Sequence, residues 1–258
     1  MTWFRVIGRR GLLMLAAGVC GLALVVGALA VGLPQLAAVS SPAESRLLPV
    51  YCTDREGKVV SLTFDAAWGA EDTDRLIEIF DTYGIQVTFF VVGEWVDKFP
   101  DEVKKLHEAG HEVMNHSDTH PYMSKISEAE RAAELRSCND KIEAITGVRP
   151  TLFRPPYGDY SNAVIRSVEA ADMTCVQWSV DSLDWKDPTP EEMIRRVTGK
   201  VKSGDIVLFH NAAKNTPAAL PAIIEYLQKE GYTFLKVSEM LYDGEYTINH
   251  EGRQCKAN

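Results

Sequence analysis

The chain has 258 residues, of which 46% are hydrophobic and 24% charged, a composition typical of a globular protein with a full apolar core. Its formal net charge is −9, and all 36 acidic residues lie beyond residue 40. Because a nucleic-acid-binding surface needs a basic face, this acidic balance argues against a nucleic-acid partner.

The N-terminal segment predicts a membrane anchor. Three arginines in the first ten residues precede an uncharged run at 11–41, whose apolar core, 12–33, is long enough to cross a bilayer as a helix. The arginines place the N-terminus in the cytoplasm and the remainder of the chain outside it. A signal peptide cleaved near Ala38 is the alternative, and it exports the same part of the chain.

The sequence therefore predicts two parts. Residues 1–45 form a cytoplasmic stub, a transmembrane anchor at about 11–33 and a tether, and residues 46–258 form one folded domain. None of the five cysteines has the spacing of a zinc site. Cys52 and Cys255 flank the domain, and the sequence leaves open whether they form a disulfide or stay free.

From about residue 55 short apolar runs alternate with helical patterns. The predicted elements, in chain order, are strand Lys58–Phe64, helix Thr73–Tyr83, strand Gln86–Val92, helix Pro100–Ala109, strand His111–Asn115, helix Ser127–Ile145, strand Thr151–Phe153, helix Ser161–Ala171, strand Thr174–Ser179, helix Pro190–Val201, strand Asp205–Phe209, helix Pro217–Glu230 and strand Thr233–Val237. A capping box, Ser127 with Glu130, opens the longest helix. This order predicts a parallel sheet with outer helices, and the number of strands favours a barrel over an open sheet.

Polar side chains follow these strands at their C-terminal ends, where barrels of this class carry their chemistry. They are Asp65, His116, His120, Arg154, Asp181, Asp184 and His210. Because the ends of parallel strands meet at one face of a barrel, these residues are expected to form one site although they lie far apart in sequence.

The chemistry of this set points to hydrolysis assisted by a metal. His116 and His120 form an HxxxH pair, which can contact one divalent ion but is a weak signal by itself. With Asp65 and His210 at equivalent strand ends, the pattern favours zinc acting as a Lewis acid. Asp65 is then suited to be the general base and His210 the general acid.

Five motifs in order give a family resemblance: TFDAAW at 63–68, HSDTH at 116–120, RPPYG at 154–158, DSLDW at 181–185 and LFH at 208–210. Over about Val59 to Leu241 the chain resembles the NodB-homology polysaccharide deacetylases of carbohydrate esterase family 4. It looks most similar to the PdaB-like branch, which is associated with sporulation and cell walls in Gram-positive bacteria. The resemblance implies a distorted (β/α)7 barrel, a divalent metal, expected to be zinc, and acetylated cell-wall polysaccharide as substrate.

The resemblance also implies roles for the strand-end residues. Asp65 corresponds to the catalytic base and His210 to the general acid. Arg154 corresponds to the arginine that pairs with the base and orients it. His116 and His120 correspond to the two metal-binding histidines.

Further residues correspond to substrate-binding positions of the family. The backbone N–H of Tyr157 is expected to help hold the oxyanion, Trp185 to line the acetyl pocket and Leu208 to lie beside the acetyl methyl group. Either Asp181 or Asp184 is expected to tune the acid.

One position departs from the family pattern. The family usually has a second aspartate after the catalytic base, and that aspartate binds metal; here the position is Ala66. Asp72 or Glu71 could supply the missing ligand, although Asp72 could equally be a helix N-cap. Alternatively, two histidines hold the metal with water and substrate, or the site binds no metal and the domain only binds glycan.

These observations favour an exported, membrane-tethered hydrolase that removes N-acetyl groups from amino sugars, most consistently those of peptidoglycan. Two alternatives stay open. One is an O-acetyl esterase acting at the same site, and the other is a catalytically silent domain that binds cell-wall glycan.

Overall fold

The computed structural model describes residues 45–257. The predicted transmembrane helix therefore lies outside the described residues. Within 45–257 no helix has the length and apolar character needed to span a membrane.

Eleven strands and eight α-helices make up the described part of the chain. The strands are β1 (Cys52–Thr53), β2 (Val59–Ala66), β3 (Thr88–Val91), β4 (Glu112–Asn115), β5 (Leu152–Phe153), β6 (Thr174–Cys175), β7 (Val180–Asp181), β8 (Asp205–His210), β9 (Thr233–Phe234), β10 (Tyr246–Ile248) and β11 (Arg253–Lys256). The helices are α1 (Thr73–Tyr83), α2 (Gly93–Lys98), α3 (Pro100–Glu108), α4 (Glu128–Thr146), α5 (Asn162–Glu169), α6 (Pro190–Thr198), α7 (Thr216–Lys229) and α8 (Val237–Met240).

The strands form one curled, mainly parallel sheet, as the alternating pattern predicted. Its order is β10-β11-β1-β8-β2-β3-β4-β5-β6, and β7 pairs with β8 on the other side. Strand β6 pairs with β5 at one end of this order, whereas β7, the next strand in the chain, pairs with β8. The sheet therefore curls round from β6 towards β8, an arrangement consistent with a distorted (β/α)7 barrel. The strand predicted over Thr174–Ser179 is shorter in the structure and ends at Cys175. Beyond it the chain leaves β5 and approaches β8, where the N–H of Ser179 donates to the carbonyl of Ile206.

The central strand β2 separates an apolar layer from a polar interior. Alternate residues point to opposite faces of a strand. Val60, Leu62, Phe64 and Ala66 belong to the apolar cluster that also contains buried residues of α1 and α7. Phe64 packs between Phe89 of β3 and Phe209 of β8, with ring centroids 5.1 and 5.3 Å away. The intervening residues, among them Asp65, therefore face the barrel interior, where the site is built.

Local signals in the sequence are largely reproduced. Helix α1 has the predicted bounds and ends at Gly84, whose φ of 61° is the left-handed conformation that glycine tolerates best. The capping box of Ser127 and Glu130 opens α4. Helices α2 and α8, strands β1 and β7 and the two short strands near the C-terminus were not predicted, and the last predicted strand ends at Phe234 before α8 begins at Val237. Cys52 and Cys255 are both free thiols, so the disulfide considered from the sequence is not formed.

The buried imidazole of His111 makes the stability of this core depend on pH. Its ring packs edge-on against Phe80, and its Nδ1 accepts the N–H of Val87 at 3.3 Å. Burial lowers the pKa of His111 to about 4. As the pH falls below about 6.5, the unfolded chain therefore binds a proton that the folded protein does not. The contribution of His111 to the free energy of unfolding is fully present above that pH. We expect about 3 kcal/mol of it to be lost as the pH falls from 6.5 to 4.

Urea unfolding at pH 7 and at pH 4.5 tests this prediction. The His111→Gln variant should lose less stability between the two pH values than the wild type. The matched control is His250→Gln, at an exposed position, which should keep the wild-type difference. An unchanged pH dependence in His111→Gln would contradict the prediction.

Candidate active site

A pocket of about 420 Å³ lies at the C-terminal ends of the barrel strands. Its lining residues are Asp65, Ala67, Trp68, His116, His120, Tyr157, Trp178, Asp181, Trp185, Leu208 and His210. The structure thus brings together residues from all five sequence motifs, because the strands that precede these motifs are parallel and end at the same face. Trp178 is a lining residue that the sequence motifs did not indicate.

Asp65 and Arg154 form a buried ion pair at the base of this pocket. Arg154 is fully buried, and its Nη1 donates to Asp65 Oδ1 at 2.7 Å and to Thr63 Oγ1 at 2.9 Å. The guanidinium also lies over the ring of Phe90, 4.1 Å from its centroid. Burial opposes ionisation of Asp65, but the attraction of Arg154 outweighs it and lowers the pKa of Asp65. Asp65 is therefore a carboxylate that can accept a proton, held in one orientation by Arg154.

The two histidines of the HSDTH motif lie beside this carboxylate. His116 Nδ1 is 2.7 Å from the carbonyl oxygen of Arg154, and because a carbonyl only accepts, Nδ1 carries the hydrogen. His116 Nε2 is then left with its lone pair, 3.5 Å from Asp65 Oδ2. The His120 ring centroid is 5.0 Å from that of His116. Burial lowers the pKa of both imidazoles, that of His120 to about 4. Both rings are therefore neutral at pH 7, the state in which histidine can bind a metal.

The loop that carries these histidines is fixed by Glu134 of α4, which the sequence did not single out. Ser117 and His120 have φ values of 70° and 58°, an unfavourable left-handed conformation for residues other than glycine. Glu134 Oε2 accepts the backbone N–H groups of Asp118 and Thr119, each at 2.8 Å. These charge-assisted hydrogen bonds hold the loop in a shape that it would not adopt by itself.

We expect Glu134→Ala to lower the free energy of unfolding by about 1–3 kcal/mol, because two backbone donors lose a charged acceptor. The NMR signals of the His116 and His120 rings should shift as the loop relaxes. Glu128→Ala, at an exposed position of the same helix, is the matched control and should leave both signals in place. Unshifted histidine signals in Glu134→Ala would contradict a positioning role for Glu134.

His210 faces Asp65 from the end of β8 and has its own carboxylate partner. Asp184 Oδ1 lies 2.7 Å from His210 Nδ1, and Asp184 Oδ2 accepts the His210 backbone N–H at 2.7 Å. Burial disfavours the charged imidazole, but the hydrogen bond and charge of Asp184 outweigh it and raise the pKa of His210. Asp181 lines the pocket but accepts the N–H of Leu183 instead. Of the two aspartates left open by the sequence, Asp184 is thus the one that contacts the acid.

The aromatic residues of the motifs lie at the rim of the pocket and not in the core. Trp68, Tyr157 and Trp185 are each more than half exposed, whereas Leu208 is buried at the pocket wall. The Trp68 ring lies 5.4 Å from that of His210. The rim can therefore contact the flat faces of a bound ring, while Leu208 can contact a small apolar group.

The structure places Asp72, the ligand considered from the sequence, outside the pocket lined by His116 and His120. Although Asp72 precedes α1, its side chain makes no capping hydrogen bond, and its Oδ2 accepts the N–H of Ala212 at 2.8 Å. Asp72 does not line the pocket, Glu71 is exposed, and Ala66 lies with the apolar face of β2. Among residues 45–257 no three histidine, cysteine, aspartate or glutamate side chains form a group that could hold a metal ion.

The donor set can be compared with what zinc requires. Catalytic zinc takes three protein ligands and keeps one position open. His116 and His120 suit such a site, since His116 has its Nδ1–H fixed by a carbonyl in the manner of metal-binding histidines. Where the family pattern has the third ligand, Ala66 has only a methyl group. The described residues therefore do not fit a catalytic zinc site with three protein ligands.

Comparisons with known proteins identify relatives of this fold and site. The family model for polysaccharide deacetylases matches residues 53–176. The chain is 35% identical over 189 residues to a peptidoglycan-N-acetylglucosamine deacetylase of Bacillus cereus, and the alignment covers 71% of this chain and 88% of that protein. It is 33% identical over 193 residues to the uncharacterized protein YlxY of Bacillus subtilis, covering 75% of this chain but only 60% of the length of YlxY.

A solved structure adds a relative of a different kind. A CE4 family pseudoenzyme from Bacillus anthracis matches with a TM-score of 0.73 and 33% identity, covering 81% of this chain and 73% of that one. A mutant of that pseudoenzyme with restored enzymatic activity gives a TM-score of 0.72 and 36% identity, covering 74% of this chain and 70% of that one. The chain is thus similar both to a protein named as a peptidoglycan deacetylase and to a protein named as a pseudoenzyme.

Proposed function

This chain belongs to the polysaccharide deacetylase family, and from that premise we propose that it removes N-acetyl groups from amino sugars of cell-wall polysaccharide. The observation that carries the proposal is one pocket in which an ionised Asp65, held by Arg154, faces His210, held by Asp184. Relatives named as peptidoglycan deacetylases support peptidoglycan N-acetylglucosamine or N-acetylmuramic acid as the substrate.

The side chains divide the reaction between them. Asp65 takes a proton from the attacking water as the water oxygen bonds to the acetamide carbon. His210, whose protonated form is stabilised by the carboxylate of Asp184, donates its proton to the nitrogen as the C–N bond breaks. The products are acetate and a free amine. Leu208 is suited to contact the acetyl methyl group and the rim aromatics to contact the sugar ring.

The proposal includes a role for zinc only as a metal that His116 and His120 would bind. Members of this family generally depend on a metal, and these two neutral imidazoles are the residues that would contact it. Because the third ligand is missing, no step of the reaction above is assigned to the metal.

The place of action is proposed from the sequence alone. The apolar run at about 11–33 would tether the chain to the cell membrane, with the catalytic domain outside the cytoplasm. Assignment to the PdaB-like branch, and with it a role in sporulation, stays a prediction.

The second candidate function is glycan binding without turnover. Two observations favour it: Ala66 removes one metal ligand, and a pseudoenzyme is among the structurally similar proteins. One observation argues against glycan binding alone. The base and the acid are both present and each has its partner, Arg154 with Asp65 and Asp184 with His210, and a binding domain has no chemical need for a base and an acid together.

Acetate release decides between these functions. Substrates would be N-acetylglucosamine oligomers, fully acetylated peptidoglycan and an acetylated xylan, each tested with chelator-treated protein and again after zinc is restored. Release from the amide substrates supports the proposal, and release from xylan alone would favour the O-acetyl esterase. No release from any substrate, with glycan binding intact, would establish the silent binding domain.

A further inference from the structure

Exposed aromatic side chains are concentrated around the pocket. Among residues 45–257, seven large hydrophobic side chains are exposed, and Trp68, Tyr157 and Trp185 of these line the pocket. A fourth, Tyr122, is 53% exposed and lies just beyond the pocket, stacked on Tyr157. Exposed apolar surface gathered at one place marks a site of interaction. Tyr122 belongs to none of the family motifs and has no role in the reaction proposed above.

The rings form a continuous path from the reacting groups to the surface. The His120 ring is 5.0 Å from that of His116, the Tyr157 ring is 4.6 Å from that of His120, and the Tyr122 ring is 4.3 Å from that of Tyr157. The two tyrosine rings are nearly parallel, at an interplanar angle of 17°. The path begins at His116, next to Asp65, and ends at the exposed ring of Tyr122.

The tyrosine pair is held rigidly although it is exposed. Ser124 donates its backbone N–H and its hydroxyl to the two carboxylate oxygens of Asp159, at 2.7 and 2.8 Å. These bonds join the loop that carries Tyr122 to the loop that carries Tyr157. Met123, the neighbour of Tyr122, is fully buried and anchors the first loop in the core. An exposed pair fixed in this way loses little conformational freedom when it binds a ligand.

We propose that the ring of Tyr122 is a platform for the sugar unit next to the one in the pocket, and that it gives the site a preference for polymer over single sugars. The inference rests on the proposed function. A two-ring patch is far smaller than the roughly 800 Å² per partner of a stable protein interface, which favours a small ring over a second protein chain. Continuity with the pocket through Tyr157 favours a neighbouring unit of the same glycan.

Binding of glycans of different length tests this inference without relying on turnover. The full-length protein would be titrated with the N-acetylglucosamine tetramer and with N-acetylglucosamine itself, and the fluorescence of Trp68 and Trp185 would report binding. We expect Tyr122→Ala to bind the tetramer about 3- to 10-fold more weakly and the single sugar as well as the wild type does. Tyr122→Phe, which keeps the ring, should bind both like the wild type.

The matched control is Tyr226→Ala, at an exposed tyrosine outside the pocket, which should bind both sugars like the wild type. If Tyr122→Ala binds the tetramer as tightly as the wild type, or if it weakens both sugars equally, the inference is overturned while the proposed function stands. If the wild type binds neither sugar, the proposed function and this inference fail together.

Discussion

The free energy of unfolding of the Asp65→Asn variant is expected to be about 3–5 kcal/mol lower than that of the wild type. Among residues 45–257, Asp65 is the only negative charge that contacts the fully buried guanidinium of Arg154, whose other acceptors there are the neutral Thr63 Oγ1 and Gln177 carbonyl. An unpaired charge in this interior is costly, and the asparagine cannot compensate it. Urea unfolding at pH 7 measures the loss, and it should appear whichever of the two proposed functions is correct.

Two further variants define the cause of that loss. Adding Arg154→Met to Asp65→Asn removes the orphaned charge and should recover most of the stability. Asp74→Asn, which breaks an exposed ion pair with Lys105, should change stability by less than about 1 kcal/mol. If the protein deacetylates glycans, Asp65→Asn should also reduce acetate release about 10²- to 10⁴-fold, because the general base is lost. A stability within 1 kcal/mol of the wild type would contradict the buried-pair argument.

The Ala66→Asp variant is expected to make the thermal stability of the protein depend on zinc. Ala66 ends β2 at the same face of the barrel as the histidines, and it pairs with Val91 of β3, whose carbonyl accepts the N–H of His116 at 3.0 Å. Because Ala66 lies on the apolar side of β2, the new carboxylate must bend around the end of the strand to contact the histidines. Without metal it is a buried charge among apolar side chains and should cost several kcal/mol. With zinc at about 100 times its Kd, zinc binding should raise the free energy of unfolding of the variant by about 2.7 kcal/mol.

Thermal unfolding with chelator and with added zinc measures both effects. Ala66→Asn is the matched control: it introduces a similar volume without a negative charge, and zinc should not restore its stability. Adding His116→Ala to Ala66→Asp should abolish the response to zinc. If the wild type already shows the full zinc response of Ala66→Asp, another group completes the metal site and Ala66 is not the deficiency inferred here.

Some features of this protein follow from local sequence alone. The apolar stripe of Thr73–Tyr83 and the glycine after it determine α1, since a helix needs only one buried face and a residue that tolerates a left-handed turn. The alternation of strand and helix patterns determines a parallel sheet. The strand-end rule then places Asp65 beside His210, and the two are paired across β2 and β8 in the structure.

Other features depend on how distant segments meet. The sequence left Asp181 and Asp184 equivalent, and the turn at Leu183, with a φ of 58°, directs only Asp184 to His210. Asp72 has the position of a helix cap, yet its carboxylate bonds to Ala212, 140 residues away.

The roles of Glu134 and Tyr122 likewise have no signal in sequence spacing. Periodicity encodes which face of an element is buried, and it therefore determined the elements, the sheet and the strand ends that form the site. The direction of a side chain from a turn depends on local backbone angles and on the partner that tertiary packing brings to it. For that reason only the tertiary structure decided which carboxylate contacts the acid, what fixes the histidine loop and where the aromatic surface continues beyond the pocket.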